Sequence, residues 1–388
     1  MSQFEKLTPL LKSFIEKGPA GCSLSVFQNR SQKYSNFVGF SDLENKTPIT
    51  EDSIYRIYSM TKVVTCVAAL ILYEKGLFLL NDPIEEYLPE FKNSLVHRYT
   101  PYGALYTSLA SKPITIKDLF TMSSGLTYAG DNIETARYIS KIEKGFAHKS
   151  SFGEKYTIRD FSKAIATVPL AFDPGTHWQY GYSHDILGAL IEVVSNKSLS
   201  QFFKDEIFDP LEMKDTFFRI PEDKLHRLCN LYNRSEDGIL TKITNMDANY
   251  KPDAIFESGG AGLLSTLSDY SRFAQMLANE GELNGVKILS AKTVELMSIN
   301  HLSQEQLLDF DWPYQSGYGY GLGVRVMIDK AKAGSNSSLG EFGWCGMAGT
   351  WVMIDPKEKL SAVYMQQMFP NFEAYHQPRL RNVIYGSL

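Results

Sequence analysis

The sequence predicts an α+β fold: one antiparallel sheet built from both ends of the chain, flanked by helices, with a mainly helical insertion between. Three observations carry this. Strand-like runs gather near both termini. Helical periodicity dominates the stretch between them. No internal repeat or low-complexity linker divides the chain, and strands do not alternate with helices as a doubly wound sheet requires.

The elements follow in order. Phe4, Leu7, Leu10, Leu11, Phe14 and Ile15 recur at helical spacing, so residues 5–17 are expected to be an amphipathic helix, broken by Gly18-Pro19-Ala20-Gly21. Cys22 to Phe27 alternates as a strand, Asn29-Arg30-Ser31 turns, and Lys33 to Phe40 returns as the second arm of a hairpin. Ser53 to Tyr58 is strand-like and gives way to an almost wholly apolar helical run, Val63 to Lys75. Short helices are expected over Ile116–Met122, Ile158–Ala166 and Asp185–Ser195. Residues 128–155 mix glycine, charge and aromatics without clear periodicity and are expected to loop over a pocket, with residues 94–112 also shaping it. Thr266–Asn279 and Ser290–Ile299 are helical in pattern. Gly319–Met327, Gly349–Ile354 and Leu360–Gln366 read as C-terminal strands. The expected division is one catalytic unit, 1–388: an α/β part of approximately 1–60 plus 295–388, and a mainly helical part of approximately 61–294.

Composition narrows the function. Hydrophobic residues make up 44% and charged residues 21% of 388, an ordinary globular balance. The net charge of −5 and the lack of a Lys/Arg cluster argue against a nucleic-acid partner. The longest apolar stretch, after Lys62, is too short to span a membrane. The start of the chain lacks a basic segment followed by an apolar one, so a cytoplasmic location is expected. Cys22, Cys66, Cys229 and Cys345 are widely spaced and form no Cys-x-x-Cys pair, which suits free thiols in a reducing compartment. No His-Glu-x-x-His pattern occurs, and neither a metal nor another cofactor is expected.

The chemistry starts at Ser59-Met60-Thr61-Lys62, the only Ser-x-x-Lys in the chain. Residues three apart share a helix face, so the Lys62 amine can approach the Ser59 hydroxyl. A serine needs a base to become a good nucleophile, and a desolvated lysine of lowered pKa can be that base. Isolated Ser-x-x-Lys pairs usually lie on solvated helix faces. Here Val63, Val64, Cys66, Val67 and Ala68 follow, and a helix apolar all round is buried. Lys62 is therefore expected to enter the interior. No Gly-x-Ser-x-Gly elbow is present to support a Ser-His-Asp site.

Two further segments matter. Tyr180 follows the turn at Pro174-Gly175 and precedes a helix, with His177 and His184 on either side. A lysine nearby would favour its phenolate and let it relay a proton; a buried tyrosine satisfied by one hydrogen bond is the plainer alternative. Gly343-Trp344-Cys345-Gly346-Met347-Ala348-Gly349-Thr350 leads into a strand. Its glycines suit a backbone approaching a ligand, or equally a bulge in tight sheet packing.

In this order the three segments resemble the serine β-lactamase and penicillin-recognising enzyme superfamily, and most of all class C β-lactamases and family VIII esterases. Leu119 to Leu126, the frame around Tyr180, Ser258 to Leu263 and Tyr318 to Gly323 extend the resemblance over nearly the whole chain. It implies a β-lactamase/transpeptidase-like fold, Ser59 as acylated nucleophile, Lys62 as its base and Tyr180 as the second-motif tyrosine. It also implies an oxyanion hole from the backbone N–H groups of Ser59 and Met347, and substrate contacts from Trp344, Cys345, Gly346 and Tyr182. Two departures stand out. The second motif reads Tyr180-Gly181-Tyr182 where β-lactamases have Tyr-x-Asn, and Trp344 replaces the lysine that holds a β-lactam carboxylate. Losing that lysine removes a charge-assisted contact worth roughly 1.5–3 kcal/mol. The resemblance therefore favours a small, uncharged, short-chain carboxylic ester as substrate. A β-lactamase or D-amino-acid peptidase of the same fold is the first alternative, and a non-catalytic scaffold the second.

Overall fold

The computed structural model describes residues 3–244 and 250–388. The α+β architecture is the one predicted, and the sheet does draw on both ends of the chain. Its eight strands run in the order Tyr318–Tyr320, Arg325–Met327, Phe342–Cys345, Trp351–Asp355, Leu360–Gln366, Gly21–Gln28, Ser31–Asp42 and Thr47–Pro48. Neighbours are antiparallel throughout. The central pairing joins the two ends of the chain, from Cys22 opposite Gln366 to Gln28 opposite Leu360.

Alternation of side chains gives the sheet two faces. Leu24, Val26, Met353, Ala362 and Tyr364 pack on one side with Phe14 of the helix Leu7–Lys17 and with Leu380 and Ile384 of the helix Glu373–Tyr385. Val352, Ile354, Val363 and Trp344 face the larger core on the other side. There the helix Leu267–Ala278 lies across the central strands, although it falls within the central span of sequence. The same core holds the helix Thr61–Glu74, whose residues 61 to 72 are all buried, as its unbroken apolar character predicts.

The short central helices begin where their caps dictate. Thr115 and Thr157 each accept the N–H of an aspartate three residues on, and each aspartate bonds back. Two expectations need correction. Residues 134–151 form a helix rather than a loop, burying only Thr135, Ala136 and Ile139. A helix so largely exposed leaves little apolar periodicity to detect. The run 319–327 is not one strand: Gly321 N–H bonds Val324 C=O and folds it into a hairpin. Gly323 sits in that turn at φ +84°, and a Cβ there would lie 2.2 Å from Cys66 Sγ. The glycine is what lets the hairpin close against the Thr61–Glu74 helix.

All four cysteines are buried and unpaired. No helix among the described residues is long and apolar enough to cross a membrane.

Candidate active site

Ser59 lies in a single 3-10 turn, Tyr58–Met60, between the strand Ile54–Arg56 and the Thr61–Glu74 helix. The strand pairs with Leu264–Thr266, and Ile57 N–H bonds Leu263 C=O, so the approach to the serine is fixed on one side. On the other side Thr350 Oγ1 donates to Ile57 C=O. A Cβ on Gly346 would come within 2.3 Å of that same carbonyl, so only glycine lets the third segment pass this close. Tyr58 takes φ +42°, a left-handed conformation that costs a bulky residue about 1–3 kcal/mol. Its ring is held against Tyr250 and Phe369. This sharp turn leaves Ser59 half-buried at the wall of a cavity.

Lys62 is fully buried. Its Nζ lies 3.3 Å from Ser59 Oγ, 2.7 Å from the Tyr128 hydroxyl and 2.8 Å from Gly260 C=O. Burial pulls its pKa down to about 8, against opposing fields from Asp185 and two cysteines. Asp185 is itself buried and accepts from Ser258 Oγ at 2.6 Å and Gly260 N–H at 3.1 Å. It thereby positions the carbonyl that Lys62 bonds.

Tyr180 completes the cluster. Its hydroxyl accepts the Trp344 indole N–H at 3.0 Å and also meets the Ser59 side chain. Burial pushes the phenol well above its ordinary value. Of the two readings of Tyr180, easy ionisation beside lysine fails, because burial dominates even with the Lys62 amine 4.8 Å from the ring centroid. The plainer one, a buried tyrosine held by a hydrogen bond, matches the Trp344 contact. Tyr182 falls elsewhere. Its ring packs behind Tyr128 at 4.7 Å and its hydroxyl donates to Glu143, so it does not line the cavity. Cys345 and Met347 do line it, and Asn371 Nδ2 holds the Met347 carbonyl at 3.0 Å. The two histidines lie apart from the hydroxyl cluster. His177 bonds Asp309, and His184 is buried beside Cys66, its pKa pushed down to about 3.

The cavity measures about 610 Å³. From the segments expected to shape it, 94–112 and 128–155, only Tyr128 reaches it. Its walls come instead from Trp312, Pro313 and Tyr314 and from Asn371 and Glu373. Sequence reasoning missed these residues. The aromatic Trp312-Pro313-Tyr314 cluster was a usable signal, whereas nothing local distinguishes Glu373 or Tyr128. No cluster of potential metal ligands occurs among the described residues.

A model of the β-lactamase family matches residues 10–384. Protein Rv1367c of Mycobacterium tuberculosis is 31% identical over 357 residues, covering 91% of this chain and 86% of its own. Esterase EstB of Burkholderia gladioli is 26% identical over 371 residues, covering 90% and 86%. Among solved structures, EstCE1, a hydrolase with promiscuous acyltransferase activity, superposes with a TM-score of 0.81 at 22% identity, over 99% of both chains. The relatives include esterases and acyltransferases, which supports a serine hydrolase or acyl-transfer role. With a family model spanning nearly its whole length and a relative matched over most of both chains, this protein belongs to the β-lactamase family.

Proposed function

We propose that the protein is a serine hydrolase of short-chain carboxylic esters, working through an acyl-Ser59 intermediate with Lys62 and Tyr180 as general base and acid. One observation carries the reading: the donors and acceptors gathered around Ser59. Trp344 Nε1 is a donor only, so the Tyr180 oxygen accepts from it and is held beside the Ser59 side chain, where the phenol proton can reach a departing alkoxide. Gly260 C=O is an acceptor only, so it takes one Lys62 N–H. A neutral Lys62 amine can then turn its lone pair on the Ser59 O–H.

In that state Ser59 Oγ attacks the ester carbonyl as its proton passes to Lys62. The N–H groups of Ser59 and Met347 hold the tetrahedral oxyanion. Tyr180, kept neutral by burial, gives its proton to the departing alkoxide and is resupplied from Lys62. Water, taking the alcohol's place, releases the acid by the reverse sequence. A second alcohol in place of water would make the same site an acyltransferase, and the aromatic-rich cavity supports that reading too.

Turnover of p-nitrophenyl esters of increasing acyl length, beside a chromogenic cephalosporin, tests the proposal. Short esters should be processed much faster. A cephalosporin turned over faster than every ester would instead make it a β-lactamase. Failure of a fluorophosphonate to label Ser59, by mass spectrometry, would favour a scaffold. Trp344→Phe keeps the ring but frees the Tyr180 hydroxyl, and should lower kcat/KM for the best ester about tenfold, the worth of one neutral hydrogen bond. The kinetics should show the loss in kcat rather than KM, because the bond orients a proton and does not hold substrate.

A further inference from the structure

The cavity holds a charge that ester hydrolysis does not use. Glu373 is its only charged lining residue, and no Lys or Arg lines it among the described residues. The Glu373 carboxylate accepts the Tyr314 hydroxyl at 2.6 Å and takes part in no ion pair among the described residues. Its place in the first turn of the helix Glu373–Tyr385 accounts for an acidic residue there. That place does not account for the company it keeps. Trp312 and Trp344 stand with ring centroids 6.0 Å apart, Trp312 stacks on Tyr314 at 6.2 Å, and Tyr58 lines the same space. Aromatic faces attract cations, and an unpaired carboxylate beside them supplies the countercharge.

We infer that the cavity selects substrates carrying a cationic nitrogen, of the alkylammonium class, which the aromatic walls surround and Glu373 pairs. This rests on the ester-hydrolase reading and sharpens it. Absence of the family lysine disfavours anionic substrates, and Glu373 turns that neutrality into a preference for the opposite charge.

Binding is read first, without turnover, from the tryptophan fluorescence of the whole protein. Choline is titrated against 3,3-dimethyl-1-butanol, its uncharged isostere. Choline should bind the wild type about tenfold more tightly, and Glu373→Gln should cut that preference to the smaller part the aromatic faces supply alone. Equal affinities in the wild type overturn the inference, and need no variant to do so. So does a preference for choline undiminished in Glu373→Gln. The kinetic arm compares butyrylcholine with 3,3-dimethylbutyl butyrate. The ratio of their kcat/KM values should exceed about ten in the wild type and fall severalfold in Glu373→Gln. Turnover of both esters without preference sinks the cation alone. Turnover of no ester sinks the hydrolase reading, while the choline titration still decides the cation.

Discussion

Ser59→Ala should lower kcat/KM for p-nitrophenyl acetate by about 10⁴-fold or more, leaving only what binding and backbone donors supply. The size follows from the role: without Oγ no acyl-enzyme forms, and water must attack directly with Lys62 pointed at empty space. The fold should tolerate the change. Ser59 is half-buried, and among the described residues its hydroxyl meets Lys62 and Tyr180, both of which keep other partners, Gly260 C=O and Trp344. The melting temperature of the variant should therefore stay close to that of the wild type. Equal turnover by the two proteins would remove Ser59 from the reaction and the proposal with it.

The second large effect belongs to Lys62. Lys62→Arg should cost roughly 10³-fold in kcat/KM, because a guanidinium does not lose its proton and cannot serve as base. Folding provides a control. Lys62→Met leaves Gly260 C=O and the Tyr128 hydroxyl without their donor, so it should fold with a lowered melting temperature, yet stay as inactive as the arginine variant. The wild-type pH profile carries the same signature. Burial holds Lys62 down to about 8, and a base must be unprotonated to take the Ser59 proton. Activity should therefore be at its plateau above about pH 8 and fall about tenfold per pH unit below it. A profile flat from about pH 6 to pH 9 would deny Lys62 the role of base.

What the sequence made legible was local. Ser59 and Lys62 announce themselves because three residues on a helix bring two side chains together, and the apolar run after Lys62 says the pair is buried. The two-ended sheet is legible for a related reason: alternation in Cys22–Phe27 and Leu360–Gln366 is visible one strand at a time. Tyr128 and Glu373 carry no such mark. Each reaches the cavity only because distant segments pack there, and a lone tyrosine or glutamate looks the same on any surface. Tyr182 shows the converse. The resemblance implies a substrate contact there, but the chain enters its helix at Ser183 and turns the ring away behind Tyr128. The two readings of Tyr180 stayed open in the sequence because burial, which decides between them, is a property of the whole fold.

The pairing of Gly21–Gln28 with Leu360–Gln366 also sets an order of assembly. A chain made from its N-terminal end offers the first hairpin long before the partner strand has been synthesised. Until then Leu24 and Val26 have only part of their packing, and an open strand edge waits beside them. Such distant pairings are slow to form. Ser59 inherits the delay, since Trp344, which holds the Tyr180 hydroxyl beside it, stands in the same sheet two strands from Leu360–Gln366. A chain ended early thus leaves Ser59 without these supports, which arrive only when nearly the last strand has docked.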